Sequence, residues 1–267
     1  MRFDLCLFST DTADIAAAVG SGVDAIVVDW ETRGKVERQA GADTEINADS
    51  LDDLRRVRAA TRATVICRIN AVGPTTVEEV AGAAREGADE ILVPMVRTPG
   101  DVERVLALAP AGVRVGILIE TVDAVAEAAM LAGLPLSRVY VGLNDLAIER
   151  RSSSIFAALA DGTIDRLRPL FPMPFGFGGL TLPERGCPIP CRLLIGEMAR
   201  LECGFSFLRR SYKRDMRGRV PQAEIPRLRA ALEQARRRSR GEVIADTRAL
   251  HECVTAPAGR TAKGACA

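Results

Sequence analysis

The sequence predicts a (β/α)8 TIM barrel of the α/β class, followed by a C-terminal tail. Short β-branched apolar runs alternate eight times with amphipathic helical stretches, the order that yields parallel strands ringed by helices. Several runs, such as Ala25-Ile26-Val27-Val28-Asp29-Trp30, are apolar almost throughout, which suits a sheet covered on both faces. The turn after the first run reads Ser9-Thr10-Asp11, not the glycine-rich turn usual in an open doubly wound sheet.

The elements follow in order. A strand over residues 3–8 leads to a helix over 11–19, opened by Thr10 or Asp11 and stopped by Gly20 and Gly22. The second strand, 24–30, precedes a long polar stretch and a helix over 50–61 that Ser50 caps. The third unit pairs strand 64–69 with helix 75–86, where Thr75 and Glu78 have capping-box spacing and Gly87 marks the stop. Strands 90–96 and 114–119 take helices 99–109 and 122–132, the latter stopped by Gly133. Strands 138–142, 173–177 and 205–208 take helices 155–160, 193–202 and 222–238. Residues 1–239 therefore form the barrel domain. Residues 240–267 are small, polar and charged, and read as a tail, partly disordered or docked on a neighbour.

Composition removes several classes of function. With 36 basic against 35 acidic residues, net charge offers no reason for a nucleic-acid partner. The Arg236-Arg237-Arg238 run reads as a solvated helix end. No apolar run reaches the length of a membrane span, and the opening residues lack the apolar core of a signal peptide. Seven scattered cysteines make a poor disulfide framework and suit a reducing cytoplasm. Cys187 and Cys191 lack a second pair at zinc spacing and read as turn residues. His251 is the only histidine, so chemistry in the body of the barrel must proceed without an imidazole.

Barrel enzymes react at the C-terminal ends of their strands. There the second strand offers Asp29 and Glu31, the third Arg68 and Asn70, the fifth Glu120, and the sixth Gly142, Asn144 and Asp145. Glu120 and Asp145 end adjacent strands, about 4.8 Å apart, and can converge on one hard cation such as Mg2+ or Mn2+. The plain alternative makes Glu120 a helix cap and Asp145 a loop residue. Arg68, on the interior course of a strand, must meet an anion. That anion is a substrate carboxylate or enolate oxygen, or else Asp29 or Glu31. Gly142 and Asn144 are placed to contact substrate beside Asp145. Gly178 and Gly179, with Arg209 and Arg210 beyond the eighth strand, offer a site for a distal substrate group; tight packing at a barrel corner explains the glycines equally well.

At these residues the sequence resembles the HpcH/HpaI aldolase and citrate lyase β-subunit-like family of the phosphoenolpyruvate/pyruvate barrel superfamily. The resemblance covers about residues 3–212. It is carried by Val27-Val28-Asp29-Trp30-Glu31, Cys67-Arg68-Ile69-Asn70, Gly87-Ala88-Asp89-Glu90 with the apolar run to Val96, Ile119-Glu120-Thr121, and Val141-Gly142-Leu143-Asn144-Asp145-Leu146. It implies a divalent ion on Glu120 and Asp145, oxo-acid or enolate oxygens on Arg68, and Asp29 and Glu31 close to the metal's waters. It also implies making or breaking of carbon–carbon bonds in hydroxy-oxo acids or acyl-CoA thioesters, in trimers or hexamers. The aldolase branch carries a histidine where this chain has Thr32. That leaves Glu31, Asp29 or a metal-bound water as base, with Glu31 favoured by position.

The function expected is thus a metal-dependent lyase or aldolase acting through the enolate of a small oxo acid. Two alternatives stand beside it: another enolate enzyme on the same scaffold, such as a phosphoenolpyruvate-using transferase or an acyl-CoA lyase or thioesterase, and a non-catalytic barrel subunit. The charged stretch 33–47 reads as a lid or clamp, or as a solvated loop or subunit contact.

Overall fold

The computed structural model describes residues 2–34 and 49–256. Eight parallel strands run in the order β7-β6-β5-β4-β3-β2-β1-β8, as the alternation predicts. They are β1 (Asp4–Phe8), β2 (Ala25–Asp29), β3 (Thr64–Arg68), β4 (Glu90–Val93), β5 (Arg114–Ile119), β6 (Val139–Val141), β7 (Phe175–Phe177) and β8 (Phe205–Leu208). The seam between β7 and β8 nearly closes the sheet: Gly204 N–H donates to the Phe175 carbonyl at 2.9 Å, and Ser206 Oγ donates to the Phe177 carbonyl at 2.8 Å. A side chain on Gly176 would run into the Phe205 carbonyl, so that glycine serves the close approach of two strands.

Alternation along each strand divides the core in two. Cys6, Phe8, Val27, Ile66, Leu92, Leu118, Tyr140, Phe205 and Phe207 fill the barrel. Their neighbours Leu5, Leu7, Ile26, Val28, Val65, Ile91 and Ile117 face the helices. At the N-terminal end of the barrel the fully buried Glu90 accepts from Arg138 Nε and Nη2 at 2.6 and 2.9 Å. The Arg138 guanidinium lies 4.9 Å over the Phe205 ring. Gly116 makes room, since a Cβ there would stand 2.7 Å from Glu90 Oε1.

The first helices are α1 (Thr12–Gly20), α2 (Leu51–Ala60), α3 (Thr76–Arg85) and α4 (Pro99–Leu108). Asp11 caps α1 through Asp14 N–H at 2.8 Å. Ser50 and Asp53 form a full capping box on α2, and Thr98 and Asp101 another on α4. The capping box expected at Thr75 is absent: its hydroxyl donates to Glu79 Oε1 at 2.6 Å, one turn along. The helix expected over 122–132 breaks at Glu127 into α5 (Val122–Ala126) and α6 (Ala128–Ala132).

Four helices go beyond the sequence reading. α7 (Leu143–Glu149) starts directly after β6, so Asn144 and Asp145 lie in its first turn and not in a loop. After α8 (Ala157–Ala160), α9 (Thr163–Leu167) and α10 (Cys191–Arg200), the short α11 (Arg210–Asp215) follows β8, and α12 (Pro221–Arg236) closes the ring. Residues 240–255, read as tail, form α13 (Arg240–Thr255), opened by a Ser239–Glu242 capping box and packed on α10 of the same chain. Leu250 is its one fully buried side chain, and so small an apolar stripe barely registers in sequence. Arg238 pairs with Asp246, and Arg192 Nη1 approaches Asp246 at 3.3 Å. Residues 35–47 of the charged stretch and 257–267 of the tail lie outside the described residues. Among the described residues, no helix is long and apolar enough to cross a membrane.

Candidate active site

A cavity of about 510 Å3 opens at the C-terminal ends of the strands, where a barrel of this order places its chemistry. Glu120, Asp145, Arg68, Gly142, Asn144, Gly178 and Gly179 all line it. Asp29 and Glu31 do not; they are buried behind Arg68.

Glu120 directly follows β5 and is 2% exposed. Its Oε1 accepts the Met95 N–H at 2.8 Å. Met95 delivers that N–H from a left-handed backbone, φ +51, a costly conformation for a residue with a side chain and one that collects at functional sites. The expected strand 90–96 therefore ends at Val93, where Pro94 and Met95 turn aside to serve the carboxylate. Gly142 covers the other side. A Cβ there would collide with Glu120 Oε2 and lie 2.8 Å from Glu120 Cβ. The glycine is needed because the carboxylate rests against its backbone. Burial, then the charges of Asp145 and Glu31, push Glu120 up to about 8, against the pull of Arg68 and the Met95 N–H. Both carboxylates thus line one cavity, and the Asp145 charge bears on Glu120.

Arg68 ends β3, 3% exposed, and is gripped on two sides. Its Nε and Nη2 donate to Asp29 Oδ1 and Oδ2 at 2.8 and 2.6 Å, and Nη1 stands 3.0 Å from Glu31 Oε2. Burial opposes its charge, but Asp29 and Glu31 outweigh burial and hold the guanidinium above its ordinary value. Of the alternatives drawn from the sequence, the ion pairs to Asp29 and Glu31 are present, and Arg68 also lines the cavity. A guanidinium has five N–H donors, so this grip leaves donors on Nη1 and Nη2 for a ligand.

Neighbouring loops fix the grip. Asp49 Oδ2 accepts Asp29 N–H at 2.8 Å. Asn70 Oδ1 accepts from both Thr32 and Arg33 N–H at 2.9 Å, while Glu79 holds Asn70 by its backbone N–H (2.9 Å) and Nδ2 (3.0 Å). Asn70 therefore staples the end of β2 to that of β3. Thr32 takes part through its backbone.

Sequence reasoning missed the cavity's aromatic floor. Tyr140 and Phe207 line it with ring centroids 4.1 Å apart. Tyr140, on β6, precedes Gly142 by two residues, so the two-residue period could have placed it toward the same side. The glycine run divides by function. Gly176 serves the seam, whereas Gly178 clears space for the Tyr140 hydroxyl, which a Cβ there would approach to 3.1 Å. Gly179 needs its positive φ of +105 and has no room for a side chain against Leu194.

Comparison with known proteins settles the lineage. The model of the HpcH/HpaI aldolase/citrate lyase family matches residues 2–155, over half of the chain and all of the strand ends that carry Asp29, Arg68, Glu120 and Asp145. The chain belongs to this family. Among solved structures it is similar to RipC from Yersinia pestis, at 16% identity and TM-score 0.55, over 91% of this chain and 98% of that one. It is also similar to the citrate synthase SbnG, at 17% identity and TM-score 0.51, over 66% of this chain and 77% of that one. At such identities the likeness concerns the fold alone. No curated protein matches the chain. A family of aldolases and citrate lyases supports a lyase-type enzyme on this barrel.

Proposed function

We propose that the protein is a divalent-metal-dependent carbon–carbon lyase or aldolase acting through the enolate of a small 2-oxo acid. One observation carries the reading: Glu120 and Asp145 line the same cavity as Arg68. The donor set fits Mg2+ or Mn2+, which take hard carboxylate oxygens and complete their shell with water and substrate. Among the described residues no group of three or more His, Cys, Asp or Glu is placed to hold a metal ion, so the protein would provide two carboxylates and an open side. The buried Glu120 beside the partly exposed Asp145 has the character of a cation site, since a cation would offset both the burial and the repulsion that raise Glu120. When bound, such an ion would supply Lewis-acid stabilisation of negative charge on substrate oxygens.

The chain's own residues supply the rest. Arg68 directs its remaining N–H donors at the oxygen where enolate charge collects, and its clamp fixes that direction before substrate arrives. Asp29 and Glu31 act through Arg68 as positioning residues, because neither reaches the cavity surface. Gly142 and Met95 N–H hold the Glu120 carboxylate in register. The apolar floor of Tyr140 and Phe207 lowers water content around the reacting carbons.

The test is exchange of pyruvate methyl protons with D2O, followed by NMR, with and without Mg2+ or Mn2+. Metal-dependent exchange is expected, lowered about 10²–10³-fold in Arg68→Gln and abolished in Asp145→Asn with the fold intact. Exchange that ignores metal, or survives Asp145→Asn, would defeat the proposal.

A further inference from the structure

Cleavage of a carbon–carbon bond leaves an enolate that must take a proton on carbon, and most titratable groups near the site are committed elsewhere. Asp29 and Glu31 hold Arg68, and the only histidine, His251, does not line the cavity. Of the side chains that do line it, Glu120 and Asp145 are assigned to the cation, and guanidinium groups do not release protons in proteins. Cys187 lines the cavity but is disulfide-bonded, so it has no thiol proton to give. Ser152, Thr181 and Ser211 carry aliphatic hydroxyls, far weaker acids than a phenol.

Tyr140 remains. It belongs to the barrel interior, one pleat below the level where Gly142 meets the Glu120 carboxylate. Its ring lies against Phe207 with centroids 4.1 Å apart, which fixes the phenol, and Gly178 clears the space around its hydroxyl. The charged and titratable groups that act on it come from three other strand ends or strands: Arg209 after β8, Cys6 on β1 and Arg68 on β3. Burial pushes the phenol up and Cys6 adds to the rise, while Arg209, the Ser206 hydroxyl and Arg68 pull it down. The phenol therefore keeps its proton until substrate arrives, and two guanidinium groups stand ready to stabilise the phenolate once that proton leaves.

We propose that Tyr140 is the catalytic acid of this site, its hydroxyl giving a proton to C3 of the enolate. The proposal rests on the lyase reading of Arg68, Glu120 and Asp145. In the step, the Tyr140 O–H bond breaks, the enolate π pair forms the new C–H bond, and the C2–O bond becomes a carbonyl. The phenolate left behind takes its proton back from solvent. In the reverse direction the same phenolate removes a proton from the methyl group of the oxo acid.

Two measurements on the full chain with Mg2+ test the idea: deuterium uptake into the pyruvate methyl group, and calorimetric binding of oxalate, which mimics the enolate and has no C–H bond. Tyr140→Phe keeps the ring on Phe207. It should slow uptake at least about 10²-fold, with Mg2+-dependent oxalate affinity within about threefold of wild type. The chain has only two tyrosines, and the Tyr212 hydroxyl is buried with no hydrogen-bond partner among the described residues. Tyr212→Phe grown on 3-fluorotyrosine therefore alters the acidity of one phenol, at position 140. The fluorinated phenol is more acidic, more of it is ionised near neutral pH, and uptake there should rise severalfold. Metal-dependent uptake that survives Tyr140→Phe, or that ignores fluorination, overturns the assignment and leaves the lyase reading standing. Oxalate binding lost together with uptake in Tyr140→Phe makes Tyr140 a binding surface and overturns it too. Uptake absent from the wild type, or indifferent to Mg2+, removes the lyase reading and the proton donor with it.

Discussion

Replacing Glu120 by Gln separates what the site costs the fold from what it gives the chemistry. The carboxylate is 2% exposed, and its ordinary value of 4.5 is pushed up to about 8, first by burial and then by Asp145 and Glu31. Between those two values the folded protein retains a proton that the unfolded chain has lost. The raised value therefore gives stability that is full below about pH 4.5 and is lost as pH climbs through about 8. At about 1.4 kcal/mol per tenfold change in proton concentration, the full window amounts to about 5 kcal/mol. Solvent reaching the partly exposed Asp145 side reduces that to a few kcal/mol. Gln has the same shape, can still accept the Met95 N–H, and never ionises. Urea unfolding in EDTA at pH 5, 6, 7 and 8 should show the wild type losing stability relative to Glu120→Gln as pH rises, while Mg2+ restores only the wild type. Parallel stability profiles from pH 5 to 8, or equal stabilisation of both proteins by Mg2+, would refute the account of the site.

Three further outcomes follow from the geometry. Gly142→Ala places a Cβ 2.8 Å from Glu120 Cβ, so Mg2+ affinity measured by calorimetry should fall at least about tenfold, with Arg68-dependent binding of simple carboxylates retained. Asp29→Asn removes the carboxylate that takes two Arg68 hydrogen bonds; KM for the oxo acid should rise more than kcat falls, and the chain should lose about 3 kcal/mol of stability by urea titration. Arg138→Leu strands the fully buried Glu90 and should cost about 3–5 kcal/mol without changing metal affinity, because that pair lies at the far end of the barrel.

The sequence by itself determined the barrel and the strand ends that form its mouth. Those are local properties: a period of two along Ile26-Val27-Val28, helical spacing after Ser50 and Thr98, and polar residues where apolar runs stop all act within a few residues of chain. It also determined that Arg68 needs an anion, since its charge cannot be neutralised in a strand interior. Only the tertiary structure decided which anion. Asp29 and Glu31 come from a neighbouring strand and hold Arg68 from behind, which turns the expected base Glu31 into an anchor in our reading. The left-handed turn at Met95, the glycine beneath the Glu120 carboxylate, and the arrival of Tyr140 and Arg209 at one cavity each join residues from different strands. α13 was illegible for a related reason, since one buried leucine leaves almost no periodic mark while its capping box and ion pairs depend on α10 lying beside it. Periodicity records which face of an element is buried; it carries no record of what the buried face meets.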